Sequence, residues 1–118
     1  MIADNEVLLD AQRKMASIAS ELTAIASECA KADTIAEFAD ERKKQAFSAI
    51  VAHFLEQGES ASASEHRARA SQRWKEKLVE LADQYREASE IKHKRGSLQV
   101  QFEAARSILS AEKAKIHL

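Results

Sequence analysis

"DNEVLLDAQRKMASIASELTAIASECAKA", residues 4–32, carries apolar or small side chains at Leu8, Ala11, Met15, Ile18, Leu22, Ile25, Cys29 and Ala32. The steps between them alternate strictly between three and four residues. Held for more than three heptads, this spacing places one apolar stripe along one side of an α-helix, the mark of a coiled-coil-like seam. Asp4 or Asn5 suits the N-cap, and Glu6 follows in the first turn, where the helix dipole favours negative charge.

Working outward, the register slips at "ADTIAEFADERKKQ", residues 32–45. The next apolar positions are Ile35, Phe38 and Ala39, then Ala46, Phe47, Ile50, Val51, Phe54 and Leu55, with a fully charged "DERKK" between. Two readings compete. Thr34 and Glu37 match a capping box, which would start a new helix at Asp33 or Thr34. The alternative is a continuous helix whose seam shifts. With no Gly or Pro nearby, continuation is the better reading. Three of the four phenylalanines fall in residues 38–54, where the core should be thickest.

"EQGESASASEHR", residues 56–67, holds Gly58, one of only two glycines in a chain of 118 residues without proline. Gly58 fits the C′ position that ends a helix, and Ser60 or Ser62 can cap the next, with Ser62–Glu65 as a second capping box. A turn that short suits an antiparallel helix hairpin better than a linker between domains. The second arm repeats the heptads. Ser71, Trp74, Leu78, Leu81, Tyr85 and Ala88 lead to Ile91, Arg95, Leu98, Phe102, Ala105, Leu109, Glu112 and Ile116. Gly96 is its weak point. The expected architecture is therefore all-α, in a single domain. Arm 1 spans about 5–57, the turn about 58–62 and arm 2 about 63–117, with kinks available near Asp33 and Gly96.

Composition agrees. Hydrophobic residues are 45% of the chain but aromatics only 5%, which suits a thin seam between helices. One cysteine, Cys29, excludes an intramolecular disulfide and reads as a small buried thiol. No apolar run approaches the ~18 residues needed to span a bilayer, and "MIADNEVLL" lacks a signal pattern. A cytoplasmic protein with no membrane partner is expected. Net charge is −1, yet residues 1–59 hold 11 Asp/Glu against 6 Lys/Arg, and residues 60–118 hold 8 against 12.

Catalytic chemistry finds no footing. His53, His66, His93 and His117 lack ligand spacing. The single His53-x-x-Glu56 pair cannot build a di-metal site without a second. No glycine-bounded nucleophile turn or phosphate loop exists. Neither an enzyme nor a cofactor or metal site is expected. Two basic clusters stand out instead: Arg67, Arg69 and Arg73 around Trp74, and Lys92, Lys94 and Arg95. These are the candidate contacts for single-stranded DNA or a protein partner. Acidic neighbours dilute the stripe, so a solvated face competes with a nucleic-acid footprint, and Trp74 on the seam competes as core.

The stretches "AFSAIVAHFLEQGESASASEHRARA" (46–70), "RWKEKLVELADQYREASEIKHK" (73–94) and "QFEAARSILSAEKAKIHL" (101–118) resemble small, largely uncharacterised helical proteins of tailed bacteriophages. Those proteins are encoded near genes for recombination or single-strand annealing. The resemblance rests on packing and turn motifs over roughly residues 46–118, so no functional residue carries over. It implies an accessory or adaptor role in a phage DNA recombination or replication module, in the bacterial cytoplasm. Two other readings stand beside it: a structural coiled-coil assembly protein with no nucleic-acid role, and an inhibitor of a host DNA-processing protein.

A long two-helix hairpin covers only one side of each helix. Phe47, Ile50, Phe54, Trp74, Tyr85 and Phe102 are the candidate self-association residues, closing a homo-oligomer, most simply a dimeric four-helix bundle. Size-exclusion chromatography with light scattering should return twice the chain mass of 13.1 kDa; a clean monomer would sink the dimer.

Overall fold

A computed structural model describes residues 2–116, with the side chains of residues 2–4 left aside. His117, like Leu118, lies outside the described residues. The fold is all-α: α1 (Ile2–Ala24), α2 (Ala26–Glu37), α3 (Ala39–Glu56), α4 (Ala61–Ala70) and α5 (Gln72–Ile116), with no strand among the described residues. Asp4 and Asn5 fall inside the first turns of α1 rather than capping it.

The first three helices form one nearly continuous ladder. Only Ile25 and Phe38 separate them, and i→i−4 bonds run through both places. Ile25 N–H donates to Glu21 O at 3.1 Å and Cys29 N–H to Ile25 O at 2.9 Å. Phe38 N–H donates to Thr34 O at 3.1 Å and Arg42 N–H to Phe38 O at 2.9 Å. Continuation thus holds. The Thr34–Glu37 box starts no helix, since both residues belong to α2. The local bend sits at Phe38, with φ −102° and ψ 15°, rather than at Asp33. Gly96 makes no break either, because α5 runs through it for 45 residues. Nearby Arg95 is half-buried and Leu98 buried on the seam, and a helical glycine costs only roughly 1 kcal/mol.

The contacts divide the chain into two compact units: Met1–Ala30 with Ile91–Leu118, and Lys31–Glu90. The division falls where both seams change register. Steps of three occur twice in succession at Cys29–Ala32–Ile35 and at Tyr85–Ala88–Ile91, an insertion that rotates an apolar stripe about its helix.

The first unit packs α1 and the start of α2 against the C-terminal part of α5 as an antiparallel helical pair. Ile18, Ile25, Cys29 and Leu98 form its buried cluster, with Leu22, Ile91 and Phe102 packed against them. Ala11 and Ala105 are also buried, at 3% exposure each. Small residues at such positions let two helices approach closely without leaving voids. Cys29 is a buried free thiol within this seam.

The second unit turns two corners. Gln57 caps α3, and Gly58 stands beyond it at φ +87°, the left-handed conformation favoured by glycine. Ser60, not Ser62, caps α4: its Oγ accepts from Ala63 N–H at 3.2 Å. Ser62 is already helical, so the Ser62–Glu65 box does not form. The second corner is Ser71, extended at φ −71° and ψ 145°. Its hydroxyl donates to Ala68 O at 2.6 Å and accepts from Trp74 N–H at 3.1 Å, closing α4 and opening α5. One side chain serves two helix ends, as serine hydroxyls can. Ser71 is thus a corner as well as the first position of the second seam. The short α4 packs on α3 through Ser64 and Ala68, both at 0% exposure.

The charge split by sequence half does not survive folding. Each unit draws from both arms, giving 8 Lys/Arg against 7 Asp/Glu in the first and 10 against 12 in the second.

The two glycines respond oppositely to alanine. A Cβ at either position meets nothing within 4 Å, so backbone conformation decides. Gly96→Ala should stabilise by roughly 0.4–1 kcal/mol, as expected for removing a glycine from a helix interior. Gly58→Ala should destabilise by about 1–2 kcal/mol through its left-handed φ. Urea unfolding followed by circular dichroism reads both signs.

Candidate nucleic-acid interface

The corners of the second unit gather its aromatic and cationic side chains. Phe47 on α3 and Trp74 on α5 meet edge to face, with ring centroids 5.0 Å apart and planes at 60°. Such a pair adds about 0.5–1.5 kcal/mol beyond its buried area. It ties α5 to α3 just where α5 begins. α4 then lays its two arginines back over α3. The Arg67 guanidinium lies 4.7 Å from the Phe54 ring centroid, and that of Arg69 lies 5.7 Å from Phe47. Both fall within cation–π range.

The two arginines differ in what remains available. Arg67 also forms an ion pair with Glu59, the residue after Gly58, so it ties the turn to α4 while its contact with Phe54 ties α4 to α3. Arg69 is exposed and forms no ion pair among the described residues. Beside it a cleft of about 470 Å³ is lined by Asp40, Lys43, Lys44, Phe47, Arg69 and Trp74. Lys43 and Lys44 are exposed, and their side chains form no ion pair or hydrogen bond among the described residues. Three cations and two half-buried rings therefore share one cleft with a single carboxylate. The first turn of α5 adds no acidic residue.

Of the residues singled out from sequence, Arg67, Arg69 and Arg73 lie in this unit, and Lys92, Lys94 and Arg95 in the other. Lys92 and Lys94 are exposed and Arg95 is half-buried. Arg73 faces a different cleft, with Ala46, Ala49, Ile50, Glu76, Lys77 and Glu80, where carboxylates offset its charge. Of the residues considered for self-association, Ile50 is interior at 3% exposure. Phe47, Phe54, Trp74 and Phe102 are half-buried. Tyr85 stands out at 52% exposure.

Lys43, Lys44 and Phe47 were not among the expected contacts. Their local signal is two lysines one turn before an aromatic, on the same side of a helix. What makes them a cleft is Arg69 and Trp74, which only the corners bring alongside.

Among the described residues no three His, Cys, Asp or Glu side chains gather to hold a metal ion, and no helix is long and apolar enough to cross a membrane. His53 instead sits within hydrogen-bond distance of Gln57, Nε2 to Nε2 at 3.2 Å. No protein-family model, curated protein or solved structure matches the chain.

The ring contact makes a spectroscopic prediction. Trp74 is the only tryptophan. Phe47→Ala should lower stability by roughly 2–3 kcal/mol, below the 3–5 of a fully buried Phe→Ala because the ring is half-buried. It should also shift Trp74 emission to the red. Unchanged emission would show that the two rings do not meet in solution.

Proposed function

We propose that this chain is a non-catalytic accessory protein of a phage DNA recombination or replication module, working by contact with a protein partner and with single-stranded DNA. The observation that supports this reading is the concentration of uncompensated cations beside aromatic rings at the corners of α3, α4 and α5. Single strands are held by cations along the phosphates and by rings that stack on bases, with little demand for sequence. Such a protein needs a scaffold that holds the groups in place, and the ring pair with the Arg67–Phe54 contact supports that here.

A structural reading, in which self-association is the function, has its own support. Val79 in one unit and Val100 in the other are 62% and 71% exposed, outward-facing apolar side chains that a second copy could cover. The two readings are separable. The first expects retention of single-stranded DNA on a filter at micromolar protein and low salt, lost as salt rises. Concentration-dependent assembly with no DNA retained would overturn it in favour of the second.

A further inference from the structure

We propose that the cleft lined by Lys43, Lys44, Phe47, Arg69 and Trp74 is a nucleotide-binding position for a single strand. Its cations meet the phosphates, and its half-buried ring pair meets one unpaired base. The assignment rests on the single-strand reading above and adds where the strand sits.

The cleft's chemistry narrows the ligand. Lys43, Lys44 and Arg69 outnumber Asp40, the only acid in the lining. The two lysines are held by no acidic partner among the described residues, so their charge is available to an anion. Arg67, two positions from Arg69, is by contrast already ion-paired with Glu59, whereas Arg69 has only its ring contact with Phe47. Cations alone would accept any anion. The rings discriminate, because base–aromatic stacking contributes about 1–3 kcal/mol per base and an acidic side chain has no matching face. A paired base hides its faces within the stack, so the rings favour an unpaired one. The volume, about 470 Å³, falls in the ordinary range for small-ligand sites, roughly 300–1,000 Å³. The rigid parts are local: Phe47 and Trp74 hold each other at 5.0 Å, and Ser71 fixes the start of α5.

The sole tryptophan lies in the cleft, so intrinsic fluorescence reads this site directly. The full chain is titrated with oligothymidylate, following Trp74 emission and, in parallel, the anisotropy of the same oligonucleotide carrying a dye. Quenching with the same midpoint as the anisotropy is expected, with a log–log salt slope of about −2 for three neutralised phosphates on a single strand. Lys43→Glu with Lys44→Glu, at exposed positions, should keep the wild-type circular dichroism and weaken both signals at least tenfold. Arg69→Gln provides an independent variant and should weaken both to a smaller extent. A rise in anisotropy with steady Trp74 emission, and lysine variants that bind like wild type, would place the strand elsewhere. That result overturns the cleft and leaves the single-strand reading standing. No anisotropy change at all would remove both. Equal quenching by polyglutamate would make the cleft an acidic-protein site and overturn the nucleotide assignment.

Discussion

A helix can bury one stripe against one neighbour, and in this chain that stripe is narrow. The seam alternates small residues such as Ala11 and Ala105 with medium ones such as Ile18, Ile25 and Leu98. Their size sets how closely the helices approach, and the heptad spacing sets which side of each helix turns inward. Bulk is scarce, so the few large rings become structural events wherever they occur. The phenylalanines of α3 and the lone tryptophan of α5 fall in one unit and shape its packing.

That unit depends on its corners. Gly58 ends α3 in a conformation that costs other residues strain, and Ser71 joins α4 to α5 without either glycine or proline. Between them the ten residues of α4 fold back on α3. The return is possible because Ser64 and Ala68 are small at the contact. It places Arg67 over Phe54 and Arg69 over Phe47.

The two arginines show how similar residues separate in role. Arg67 is bound into the corner by a carboxylate and a ring, and its loss would loosen the fold. Arg69 lies over Phe47 with no ion pair among the described residues, at a cleft edge beside Lys43 and Lys44. The salt bridges along α5, such as Lys77–Glu80 and Arg86–Asp83, are exposed pairs three residues apart. Each adds little stability, but together they absorb much of the helix's charge. Near Trp74 direction matters as well: Arg73 and Lys77 line a different cleft with Glu76 and Glu80, and the cations of the Trp74 cleft are Lys43, Lys44 and Arg69.

The sequence by itself determined the helical class and the buried face of nearly every helix. The stripe Leu8, Ala11, Met15, Ile18, Leu22, Ile25, Cys29, Ala32 is buried or half-buried at every position, because a heptad pattern is local and needs only the helix's own period. Gly58 as a stop is equally local, since a left-handed residue is a property of one backbone position. The bend at Phe38 and the corner at Ser71 carry no comparable signal. Serine at a helix end looks like serine on a seam until its hydroxyl finds both Ala68 O and Trp74 N–H. The cleft was the least legible of all. Its lining comes from residues 40–47 and residues 69–74; its two lysines read in sequence as part of a charged turn, and of its cations only Arg69 stood among the candidate contacts. Only tertiary packing decides which charges lose their partners and which rings are left beside them, because both depend on side chains brought together from different helices.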